Sequence, residues 1–379
     1  MKPQLLALPV AIAMFVLALV VGMFRLLNLQ GLMVQPPLVS VFPFHGEVMV
    51  FGFLAVLIAT ERYLGSLPFK LHPVVHVMPF LVALGAVLKL VGSLGKSVPA
   101  DNVGSILIAL GMAILIYLLM AVSRQSAQPL PFRYMSFGAF VLLLGALFSI
   151  GGSPVRNMNF SLFLLGFPIL TILGERVELS RFLSPAAHTR MEVHWWVVVA
   201  AYLSLLVQDG RWTIGAWAVL MALVVLPLLK SELALVRAGE TSPQKLHRYL
   251  GRSLLVAYLW LFAGLALVLA WAATHGVYGG LFDASIHSLA AGFVLTMIFA
   301  HGPVIAPALF RVTVKQEKLS TVPLGLLTVA NLMRVGGYAV AGAGLPMGGD
   351  IVGVSGFVAL AALLAFVIMM ARSLSLRPA

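Results

Sequence analysis

Cysteine is absent from the 379 residues. That excludes disulfides, thiolate metal sites, iron–sulfur clusters and haem attached through a CxxCH motif. Charge is scarce too: Asp, Glu, Lys and Arg make up 9% of the chain, with 12 acidic residues against 24 basic ones. With 61% hydrophobic residues and a mean hydropathy of +1.06, the chain has too little polar surface for a water-soluble domain. Nor does the net charge of +12 point to nucleic acid. The basic residues lie in short loops between apolar runs, where membrane topology explains them better than a binding patch would.

What is present is a series of apolar windows about twenty residues long. Twelve are expected to span a membrane, starting near Leu5, Pro43, Pro73, Val103, Phe132 and Phe160, then Val193, Trp212, Leu250, Ala284, Thr321 and Ile351. The first, about Leu5 to Leu27, is too long for a signal-peptide core and lacks a small-residue cleavage pattern, so a retained helix is expected. Alternate loops hold most of the arginines and lysines, among them Arg62, Lys70, Arg124, Arg133, Lys230, Arg248, Arg252, Lys315 and Lys318. By the positive-inside rule both termini are then cytoplasmic. The expected fold class is an all-α polytopic bundle of about 12 helices, forming a single transmembrane domain over residues 1–379. The longest polar connection, about Lys230 to Arg252, divides it into eight spans and four. No internal repeat is visible, which counts against the inverted-repeat plan of many transporters.

The stretch from Asp283 to Phe310 carries His287 near one end and His301 deep inside. Fourteen residues of helix set the two imidazoles roughly 21 Å apart along the axis and only about 40° apart around it. An ionisable group at membrane depth is expensive and normally faces the bundle or a cavity, so two on one stripe mark a candidate functional site. His45 opens the second span at a depth comparable with His287. Gly52, Ala290, Ala291 and Gly292 could leave room for a flat macrocycle held by the two imidazoles, a bis-histidine haem b site. The alternative is that these small residues serve only close helix packing while each histidine caps its helix. Arg334 in the eleventh span needs an anion: either a haem propionate, with Arg25 and Lys89 as helpers, or a protein carboxylate such as Glu47 or Asp283. Pro303 and Pro307 are expected to kink the helix just beyond His301, because Pro303 cannot donate to the Phe299 carbonyl. His72, His76 and His194 could join His301 in a second haem or metal site. Gly174 to Phe182, GERVELSRF, reads as a cytoplasmic ion-pair cluster or, alternatively, a proton entry point or quinone headgroup site.

The motif HGEVMVFGFL at His45, the stretch from His287 to Pro307 and the count of twelve spans together resemble the NnrS family. Those membrane haem proteins are associated with nitric oxide stress and are distantly similar to subunit I of haem–copper oxidases. The resemblance implies a subunit-I-like bundle in a bacterial inner (cytoplasmic) membrane, with His45, His287 and His301 as haem or metal ligands. One or two b-type haems would then handle electrons or nitric oxide, supplied by quinol or a periplasmic donor. Copper is not expected: the sixth span has no histidine, and His194 is followed by Trp195 and Trp196 rather than a second histidine. Two other readings stand beside this one. They are a haem-free proton- or anion-coupled transporter lined by His287, His301 and Arg334, and a sensor or assembly protein that holds haem without turnover.

Overall fold

The computed structural model describes residues 7–29, 45–126, 128–151, 158–183, 185–206, 210–274, 276, 279–310 and 312–376. Among them, eleven helices are long and apolar enough to cross a membrane, the architecture of an all-α, multi-pass membrane protein. The chain divides into two compact units, Met1–Glu178 and Leu179–Ala379. The division falls near the end of the sixth helix, not at the polar connection around Lys230 to Arg252.

The first unit contains α1 (Ala7–Leu29), α2 (His45–Ser66), α3 (Met78–Gly95), α4 (Val98–Gln125), α5 (Leu130–Phe148) and α6 (Met158–Leu183) up to Glu178. The second contains α7 (Pro185–Ser204), α8 (Arg211–Thr241), α9 (Lys245–Ala273), α10 (Gly279–His287, Ser288–Leu295 and Thr296–Phe310 in succession), α11 (Val322–Gly342) and α12 (Met347–Ser373). Proline in the first two positions starts α3, α4, α5 and α11, where its missing N–H costs nothing.

Of the twelve expected spans, the one near Val193 is the exception. Its helix, α7, exists, but its first half carries Arg190 and Glu192. From Val193 to Ser204 the helix rises about 18 Å, short of a hydrocarbon core about 30 Å thick. The Lys230–Arg252 connection is also mostly helical: α8 runs on to Thr241 and α9 begins at Lys245. Outside the helices, β1 (Val312–Val314) pairs antiparallel with β2 (Leu374–Leu376) and clips the chain after α10 to the end of α12.

Tight hairpins are built on glycine. A Cβ on Gly85 of α3 would lie 2.7 Å from the Gly104 oxygen of α4, and one on Gly104 would lie 2.6 Å from the Gly85 oxygen. Gly348 of α12 presses in the same way on the backbone of Ala341 in α11. Lipid gives apolar faces no incentive to bury, so such close backbone approach supplies the packing energy.

Candidate functional site

His45 opens α2, and its Nδ1 lies 2.8 Å from the Ala18 oxygen of α1. A carbonyl has no proton to give, so the proton sits on Nδ1 and the neutral ring carries its lone pair on Nε2. The ring rests on Gly22, where a Cβ would come within 2.9 Å of Cε1. Directly after His45–Glu47, α2 widens into a π-helix over Val48–Leu54 before resuming as α-helix. π-helical turns are rare and concentrate at functional sites.

Beside it lies a buried charge cluster. Lys89 of α3 approaches Asp101 Oδ1 at 3.0 Å and Oδ2 at 3.3 Å, and Glu47 at 3.2 Å, with only 5% of its side chain exposed. Asp101 belongs to the first turn of α4, where the helix dipole also favours a carboxylate. A cavity of about 10 Å³ between Glu47, Phe51, Gly52 and Lys89 has room for one water.

In the second unit His287 ends the first α-helical piece of α10. Its Nδ1 lies 2.9 Å from the Asp283 backbone oxygen and 3.1 Å from the Asp283 carboxylate. Again the proton is on Nδ1. The Nε of Arg334, on α11, donates to the same carboxylate at 2.7 Å, so the guanidinium has its anion within the protein. A π-helix follows at once, over Ser288–Leu295.

The glycines read as room for a macrocycle are filled. A Cβ on Gly52 would meet Met14 of α1 at 2.9 Å, and one on Gly292 would meet Trp260 of α9 at 2.7 Å. Their work is close packing of the π-helical segments on the preceding helix, the alternative weighed for them from sequence.

His301 donates Nδ1–H to the Met297 oxygen at 2.7 Å. Just before it, the hydroxyl of Tyr249 donates to the Phe299 carbonyl at 2.9 Å, taking up the acceptor that Pro303 leaves without an N–H partner. His76 Nδ1 meets the Tyr63 hydroxyl at 2.8 Å, and His72 Nδ1 accepts from the Val74 N–H at 3.2 Å. His194 is half-buried on α7. His76 belongs to the first unit, His194 and His301 to the second. Among the described residues no group of three or more His, Cys, Asp or Glu converges as a metal-ligand set. In the GERVELSRF segment, Glu175 of α6 pairs with Arg62 of α2; the Arg181 side chain lies outside the described residues.

Sequence reading missed the π-helical segments and the Lys89–Asp101 pair. A π turn inside a uniformly apolar run leaves the hydropathy unchanged, and its only trace is the glycine within each, Gly52 and Gly292. Lys89 and Asp101 stand twelve positions apart on either side of a helix hairpin, a spacing that no helical periodicity reports.

No curated protein matches the chain. Residues 7–373 match the domain of unknown function DUF8744, and the chain belongs to that family.

Proposed function

We propose that the protein is a membrane b-type haem protein that handles electrons or nitric oxide, in which His45 and His287 are the residues that would hold the haem. One observation carries the reading: in both units the histidine is fixed as the Nδ1–H tautomer by a backbone carbonyl, which leaves Nε2 as the basic nitrogen. Metal-ligating imidazoles are held in this way. The donor chemistry therefore fits. Room for a macrocycle does not come from Gly52 or Gly292, and the cavity beside Glu47, at about 10 Å³, takes a water at most.

Bound haem would supply one-electron chemistry and a site for nitric oxide. This chain's own residues set the two imidazoles differently. Ala18 offers His45 a neutral carbonyl, whereas His287 Nδ1 also lies 3.1 Å from the Asp283 carboxylate, which would hold the ring's orientation. Quinol or a periplasmic donor would provide the electrons. The setting is a bacterial inner membrane, with both termini cytoplasmic by the distribution of arginine and lysine.

A second reading, a haem-free proton- or anion-coupled transporter, draws on the charge clusters Glu47–Lys89–Asp101 and Asp283–His287–Arg334. Ionisable groups at membrane depth commonly mark proton or ion paths. Absorption spectra of the purified protein, oxidised and then reduced after haem reconstitution, separate the two. A Soret band with a sharp reduced α band supports the haem reading, and its absence ends it. Given such bands, His45→Ala and His287→Ala should each turn a six-coordinate haem five-coordinate or empty the site. An unchanged spectrum in either variant removes that residue from the ligand set.

A further inference from the structure

A cleft of about 740 Å³ lies in the second unit, away from both histidine neighbourhoods, lined by Lys245, Arg248 and Arg252 of α9, by Lys318, and by Arg372 of α12. Against these five cations stand Glu317 in the wall and Glu240, whose Oε1 accepts from the Arg252 Nε at 2.9 Å. Scattered topogenic charge does not explain the arrangement, because the wall is built. Lys245 Nζ donates to the Glu317 oxygen at 2.9 Å, the Lys315 N–H donates to the Ser373 oxygen at 2.7 Å, and the β1–β2 pair closes the same end. Arg248 is braced on the Ser242 oxygen at 2.6 Å. Beneath the cations lie buried Tyr249 and Leu319, packed with Met369. Among the described residues no side-chain hydrogen bond or ion pair engages Lys318 or Arg372, and both line the cleft.

We propose that this cleft binds a phosphate ester, with the headgroup of an anionic phospholipid as the source its position favours. It lies where α9 and α12 leave the apolar span, on the face rich in arginine and lysine, and basic pockets there suit anionic headgroups. The apolar floor suits the glycerol and first acyl carbons, whereas a free phosphate would use the cations alone. The site is independent of any haem.

The test uses the full-length protein in nanodiscs and in detergent, with phosphatidylglycerol, phosphatidylcholine, and inorganic phosphate or glycerol phosphate as probes, read by native mass spectrometry and thermal shift. Phosphatidylglycerol should be retained over phosphatidylcholine. The triple variant Arg248→Gln, Lys318→Gln, Arg372→Gln should weaken its binding by about fivefold for each cation removed. Lys315→Gln, at the same end but outside the cleft, should leave binding as it was. Glycerol phosphate competing with the lipid supports the phosphate chemistry, and glycerol phosphate binding alone reassigns the source to a soluble ester. Should the triple variant fold poorly, the triple Arg/Lys exchange Arg248→Lys, Lys318→Arg, Arg372→Lys should keep the binding. Equal binding by wild type and the triple glutamine variant, or equal loss in Lys315→Gln, overturns the proposal.

Discussion

The two histidine neighbourhoods are assembled from the same parts in the same order, yet they are stabilised differently. In α1–α4 a helix is followed by one bearing a histidine and a π-helical segment, then by one carrying a buried cation, then by a tightly packed return helix. The series recurs in α9–α12, with His287 for His45, Arg334 for Lys89 and Gly348 for Gly104. No sequence repeat marks this, because what recurs is the placement of a few residues on otherwise interchangeable apolar helices. The difference lies in how each imidazole is held. His45 hangs on a neighbouring helix through Ala18 and Gly22, whereas His287 is bound to its own helix and to a carboxylate that Arg334 also needs. The first imidazole therefore reports helix packing and the second reports charge.

Removing the cations should break the likeness most sharply. Lys89→Met leaves Glu47 and Asp101 with no counter-ion in a nearly closed site, and the loss of one partner of a buried pair costs about 3–5 kcal/mol. Arg334→Met is expected to cost less, about 1–3 kcal/mol, because His287 Nδ1 still lies 3.1 Å from the Asp283 carboxylate. Thermal unfolding in detergent, with each variant set against wild type, checks the order. An Arg334→Met deficit as large as that of Lys89→Met would show that His287 does not spare Asp283.

A second pair of variants probes the packing side. Gly22→Ala puts a methyl within 2.9 Å of the His45 ring and should drive the imidazole off the Ala18 oxygen, at a cost of about 1–3 kcal/mol. If His45 ligates haem, the same variant should perturb the spectrum as His45→Ala does. His287 has no counterpart to this, since its bond is made within one helix. A Gly22→Ala protein with wild-type stability and spectrum would mean that the ring has another way to sit.

The glycines of the two π-helical segments should differ by a smaller margin. Alanine gains about 1 kcal/mol over glycine in helix propensity. Opposite Gly52 the obstacle is the Cβ, Cγ and Sδ of Met14, and opposite Gly292 it is the Cβ and ring of Trp260, so in both a Cβ tied to the backbone must give. Beyond the Cβ, Met14 has an unbranched thioether that can turn aside and Trp260 a rigid ring, so Gly292→Ala should destabilise by about 1–2 kcal/mol and Gly52→Ala by less, a difference visible in paired melting curves.

How far this could be read beforehand follows from the kind of signal each feature leaves. Apolar runs announce helices, and eleven of the expected spans stand as helices long and apolar enough to cross a membrane. The exception is α7, whose charged first half shortens the apolar part below bilayer thickness. Asp283 as the partner of Arg334 was legible as one of two carboxylates weighed beside a haem propionate, because a buried guanidinium demands an anion. The role of Gly52 was not, since a small residue signals close approach without saying of what. The Ala18 carbonyl under His45 leaves no trace at all, because any residue would supply it.

The smallest effect is expected at the exposed pair Glu240 with Arg252, and it sharpens the contrast with the buried clusters. The hydrogen bond from Arg252, helped by the charges of Arg252 and Arg248, holds the Glu240 carboxyl below its ordinary range. A carboxyl lowered in the folded state contributes stability above its unfolded value, near 4.5, and loses it as pH falls through the lower folded value. Glu240→Gln should therefore unfold slightly earlier than wild type at pH 7, with the gap closing below about pH 4 and shrinking in high salt, where exposed pairs are screened. The same variant releases Arg252 into the cleft of α9 and α12, so it should bind phosphatidylglycerol more tightly even as it loses stability. The clusters within the spans offer no such exchange: Lys89 and Arg334 are paired with carboxylates of their own neighbourhoods, and neither lines the cleft.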